Sequence, residues 1–136
     1  MATGAHGRWA CLGADRGSAP AEFVMVSALL TLLTLSVMQL ALVLHVRNTV
    51  QDAAAEGARY AALADNSLAE GVERTESLIT AAVGPAYARN VTVASTTYLG
   101  HPAAVVTVSA PLPLIGLIGP DTVLEVRGHA ALETLD

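Results

Sequence analysis

Arg16-Gly17-Ser18-Ala19-Pro20-Ala21-Glu22 runs directly into an uncharged apolar stretch from Phe23 to Leu44. A glycine stands five residues before a glutamate, and the glutamate sits on the lip of a 22-residue run. At a rise of about 1.5 Å per residue that run spans about 33 Å, against a bilayer hydrocarbon core of about 30 Å. Thirteen of its residues are Leu, Val or Phe. Each favours the membrane by roughly 0.3–0.6 kcal/mol near a helix centre, roughly 4–8 kcal/mol together before the polar residues subtract. No Gly or Pro interrupts the run, so a single continuous membrane helix is expected.

Composition agrees with this. The chain has 136 residues, 53% of them apolar and only 14% charged, which departs from the globular average toward a membrane protein. About 90 residues follow Leu44, room for one small domain. The net charge of −5 belongs to that part, where ten acidic residues face five arginines. Nucleic acid is therefore not expected as a partner, since phosphate binding needs a concentrated basic surface. The one cysteine, Cys11, makes neither an internal disulfide nor a zinc site by itself. His6, His45, His101 and His129 are widely separated, with no acidic partner at metal-ligand spacing, and no nucleophile elbow or phosphate loop is present. The sequence thus points to no enzyme, no metal, no cofactor and no small-molecule substrate. Arg8 and Arg16 before the span, and acidic residues after it, predict a cytoplasmic N-terminus and an extracytoplasmic C-terminal domain.

Two readings of the junction follow from its chemistry. Glu22 can mark a helix start, where free N–H groups and the dipole favour a carboxylate and Pro20 suits the first turn. Alternatively, a peptidase that binds extended backbone would favour side-chain-free Gly17 before its cut. Cleavage between Gly17 and Ser18 makes a new amine, with Glu22 fifth in the mature chain. The amine of one subunit then pairs with Glu22 of another, because an unpaired charge in a lipid-like surrounding is costly. Ser27, Thr31, Thr34, Met38, Ala41 and His45 recur every three or four residues and line one helix face. Such a face either packs closely against another helix or consists of hydroxyls bonded to their own backbone.

The helix is expected to continue past Leu44. Val46, Val50, Ala53, Gly57, Tyr60, Ala61 and Ala64 share one face, and Asn48, Asp52, Glu56 and Arg59 another. Asn66-Ser67 breaks the pattern, and Ser67 with Glu70 matches a capping box for a second helix. Leu68, Val72, Thr75, Ile79, Ala82 and Val83 lie along one side of that helix, and Gly84-Pro85 ends it. Then the period changes to two. Val91–Val93, Ala104–Val108 and Val123–Arg127 read as strands, with Leu99-Gly100-His101-Pro102 as an antiparallel turn. Pro111 to Pro120 is an uncharged loop that suits a buried connection, a subunit contact or a patch on the bilayer. The fold class is α+β: a long N-terminal transmembrane helix, a second helix and a small antiparallel three-stranded sheet. The divisions are 1–17, a cytoplasmic leader; 18–64, the long helix with its span at 23–44; and 65–136, a small extracytoplasmic domain.

Gly17-Ser18-Ala19-Pro20-Ala21-Glu22-Phe23 before an apolar helix resembles the TadE-like pseudopilins of the tight-adherence (Flp-type) pilus systems. The resemblance runs on through Glu56-Gly57-Ala58-Arg59-Tyr60 and covers roughly residues 16–64, with Pro20 standing where Ala or Val is expected. It implies a pilin-like fold and a single-pass cell-membrane protein acting in pilus assembly. It also implies a prepilin peptidase that cuts after Gly17, leaving Ser18 as the new N-terminus and Glu22 as the assembly carboxylate. The implied partners are the lipid bilayer, that peptidase and other pilin or pseudopilin subunits. Two alternatives stay open: an uncleaved single-pass anchored domain that binds a partner outside the cell, and a small secreted domain cut from a signal peptide near Ala53-Ala54-Ala55.

Overall fold

The structure, a computed structural model, describes residues 18–113 and 123–133. Helix α1 runs Ser18–Ala62 and α2 runs Leu68–Ala82. A single 3-10 turn at Pro85–Tyr87 leads into strands β1 (Val91–Tyr98), β2 (His101–Pro111) and β3 (Val123–Ala131). The strands form one antiparallel sheet in the order β1-β2-β3. The α+β reading of the sequence is met, including its long first helix. The chain divides into two compact units, residues 1–38 and 39–136.

Within the second unit the C-terminal half of α1 is the central core element. Val46, Val50, Ala53, Ala54, Ala58, Ala61 and Ala62 are buried there. Val46 to Ala58 meet Ile79 of α2 and Val106, Val108 and Val126 of the sheet, whereas Ala61 and Ala62 pack with Ala104 of β2. The alanines are small because backbones come close. A Cβ added at Gly128 of β3 would lie 2.3 Å from the Ala54 carbonyl, so the strand rests directly on the helix backbone. A Cβ at Gly57 would lie 1.8 Å from Thr75 Oγ1 and 2.8 Å from the Gly71 carbonyl oxygen, which marks the crossing of α1 and α2. Fully buried Thr75 donates its hydroxyl to the Gly71 carbonyl at 2.8 Å, so the polar atom is satisfied. Tyr60 and Ala64, expected on the packed face, are exposed instead, while Ala54, Ala58 and Ala62 are buried. The helix is clasped on two sides, by α2 and by the sheet, and a one-sided pattern could not foresee that.

Helix α2 starts as its sequence dictates. The Ser67 side chain accepts from the Glu70 N–H, and the Glu70 carboxylate accepts from the Ser67 N–H at 2.6 Å. Those hydrogen bonds hold the exposed Glu70 carboxyl below its ordinary value, the backbone bond being the larger cause. Gly71, Thr75 and Ile79 form the buried stripe of α2, whereas Ala82 is exposed. Gly84, at φ +105°, then turns the chain out of the helix in a conformation that favours glycine.

All three strands are longer than the β-branched clusters suggest, because Ala94–Thr97 and Ala103 pair without adding apolar signal. The turn between β1 and β2 is only Leu99-Gly100, at φ 51° and 85°. Both positive angles fit the primed turn that matches strand twist. His101 and Pro102, expected in the turn, belong to β2 and pair with Tyr98 and Thr97. Val91, Val108 and Val126 share a register on the helix-facing side, as do Val93, Val106 and Gly128. On the opposite face the Tyr98 and His129 rings stack with centroids 4.5 Å apart. The uncharged segment expected as a loop is described only at Pro111–Pro113; its remaining residues lie outside the described ones.

Two measurements check this packing. Gly128→Ala should lower the unfolding free energy of the detergent-solubilised chain by about 2 kcal/mol or more, since the clash is with backbone that has no rotamer to give. A urea midpoint equal to wild type would mean that β3 does not lie on α1. For Glu70, a carboxyl lowered in the folded state stabilises above its ordinary value of 4.5, and that contribution is lost as pH falls through the lowered folded value. Glu70→Gln should therefore flatten the acid limb of the stability–pH curve.

Candidate functional site

In the first unit, Ser18 is the first described residue of α1, and both Ser18 and Glu22 are exposed. Gly17 lies outside the described residues. Pro20 costs the helix no hydrogen bond, because the first four N–H groups of a helix have no internal partner. The first turn of α1 contains no acidic residue, which puts Glu22 one turn in, at the fifth helical position. The pull of the helix dipole on a carboxylate falls off within the first turn. Glu22 is exposed at the fifth position of the described helix.

The residues after Glu22 are apolar all round. Phe23, Val24, Met25, Leu29, Leu30, Leu32, Leu33 and Leu35 are each at least 58% exposed. A helix that is apolar on every face needs a non-aqueous surrounding. Among the described residues, α1 is the one helix long and apolar enough to cross a membrane, and none of its apolar window is buried inside the protein. That distinguishes it from the core helix of a soluble protein, which its own fold would cover.

The threonine hydroxyls of the small-residue stripe are already satisfied. Thr31 Oγ1 donates to the Ser27 carbonyl and Thr34 Oγ1 to the Leu30 carbonyl, each at 2.8 Å. Ser36, off the stripe, does the same with Leu32. Back-bonding of this kind turns a hydroxyl inward and leaves a small, weakly polar surface. Thr31 and Thr34 thus offer a neighbouring helix shape rather than free donors.

Sequence reasoning passed over Gln39. It is half-buried at the start of the second unit, and its side-chain amide donates to the carbonyl of Pro113 beyond β2. Its one signal is polarity inside an apolar run. Beyond it, Glu56 and Arg59 form a solvated pair at 3.8 Å, worth little by itself. No group of His, Cys, Asp or Glu among the described residues is arranged to hold a metal.

A family model described as TadE-like protein matches residues 17–59. This segment is TadE-like. The TadE-like match opens at Gly17 and closes at Arg59, and so takes in Glu22, the apolar run and most of the core half of α1. Over those residues it agrees with the resemblance read from the sequence. No curated protein and no solved structure matches the chain.

If the outward-facing hydroxyl stripe contributes shape alone, Thr31→Val and Thr34→Val, which keep the branched outline, should leave membrane insertion unchanged. Alkaline carbonate extraction of membranes checks this. Release of the double variant into the soluble fraction would show that the hydroxyls do more than close on their own helix.

Proposed function

We propose that the chain is a TadE-like minor pilin or pseudopilin, a non-enzymatic structural subunit of tight-adherence pilus assembly. A prepilin peptidase cuts it between Gly17 and Ser18, and residues 23–44 hold it in the membrane with the C-terminal domain outside the cytoplasm. The observation that carries this reading is the family match over residues 17–59, which begins at the residue before the proposed cut and includes the carboxylate and the apolar run that follow.

Three physical points support it. Glu22 is exposed, so its carboxylate is accessible to pair with the Ser18 amine of a neighbouring subunit. Ser27, Thr31 and Thr34 are small enough to let that neighbour's helix approach. The secreted alternative meets a structural obstacle. Its cleavage site, Ala53-Ala54-Ala55, lies inside the core half of α1, and a cut there would strip Val46 and Val50 from the domain core. Loss of two buried valines and a helix turn costs several kcal/mol, on the order of a small domain's whole stability.

The mature N-terminus tests the reading directly: mass spectrometry of the membrane-extracted protein should give Ser18. An N-terminus at or near Met1 would favour the uncleaved anchored domain. Gly17→Val should block processing while leaving insertion intact, and normal cleavage of that variant would refute the peptidase step. Glu22→Gln should be cleaved normally yet reduce assembled pili on the cell surface; a normal pilus yield would reduce Glu22 to a residue of no assembly role.

A further inference from the structure

The end of the second unit at which α1 enters it is apolar. Gln39 belongs to the apolar run that ends at Leu44, yet its amide is bonded to the Pro113 carbonyl. Val43 is half-buried and Val46 buried, so the domain begins to cover α1 within that run and not after it. Leu42 and Leu44 remain 44% and 47% exposed. On the sheet side, Pro111 of β2 pairs with Val123 of β3, and both are exposed, Val123 by 60%. Leu112 and Pro113 continue from that end of the sheet to the helix at Gln39.

Helix rise sets the depth. A hydrocarbon core of about 30 Å takes about 20 helical residues. Counted from Phe23, just past the charge of Glu22, it reaches Leu42. Gln39 is three residues short of that, about 4.5 Å inside the core boundary. Whatever bonds to Gln39 lies at that depth too. A contact some 5–10 Å into the boundary of headgroups and acyl chains is typical of proteins that rest on a membrane by an apolar surface.

We propose that Pro111, Leu112, Pro113 and Val123 form a second membrane contact, seated in the leaflet that Gln39 enters. The occupant of this surface is lipid, because the patch is continuous with the membrane segment and carries no charge. The Gln39 amide, costly to leave unpaired at this depth, is satisfied by the Pro113 carbonyl, and that carbonyl is satisfied in return. The inference rests on the membrane-spanning reading of residues 23–44.

Nitroxide labels measure it. In the full chain with Cys11→Ser, single cysteines would replace Leu112, Val123, Leu33 and Thr96, and each labelled protein would be reconstituted in vesicles of phosphatidylcholine and phosphatidylglycerol. The ratio of oxygen to water-soluble nickel-complex accessibility should be several-fold higher at Leu112 and Val123 than at Thr96, and highest at Leu33. A ratio at either Leu112 or Val123 equal to that at Thr96, with Leu33 still in lipid, overturns the second contact and leaves the span standing. A ratio at Leu33 equal to that at Thr96 overturns both. Protection of Leu112 from oxygen and nickel alike would show protein instead of lipid around it, and would also overturn the proposal.

Discussion

The fold depends on how closely other backbone can approach α1 between Val46 and Ala62. Gly128 sets β3 against the helix at Ala54, and Gly57 with Gly71 sets α2 against it one turn further on. A side chain at any of these positions would push the layers apart and open the contacts of Val50, Ile79, Val106 and Val108, which are fully buried. Close packing at native density leaves little room to absorb such a shift. The run of alanines through this part of α1 has the same cause, since a helix clasped on two sides can be packed tightly only if its own side chains are short.

This arrangement gives the helix two solvents along its length. Up to Met38 its apolar side chains are exposed on every face and suit lipid or neighbouring helices. From Val46 onward it is the core of a small domain. Both stretches belong to the one helix α1, Ser18–Ala62. The domain therefore cannot be released by a cut within residues 46–62 without losing its core. Removal of the residues before Ser18 leaves that core intact, whereas a cut at Ala53–Ala55 does not.

The charged residues play a smaller part. Glu56–Arg59 and Glu125–Arg127 are exposed pairs of the kind that contribute little to stability. The capping box at Ser67 and Glu70 does more, because it satisfies backbone N–H groups that α2 would otherwise leave to water. Gln39 stands apart as a polar group inside an apolar run, bonded to the carbonyl of Pro113. That hydrogen bond ties the segment just beyond β2 to the helix.

By itself the sequence determined the apolar span, the capping box, the change from helical to alternating period and the Gly17–Glu22 junction. Each of these is a local signal, carried by neighbours along the chain, and each survives without knowledge of what lies across from it. Tertiary structure decided which alanines are core, why Tyr60 faces outward, and how far the strands extend past their valines. It also decided that Gln39 has a partner 74 positions away. Those features depend on two surfaces meeting. A small residue looks the same in sequence whether it is exposed or pressed against another backbone, and only the meeting of α1, α2 and β3 distinguishes the two.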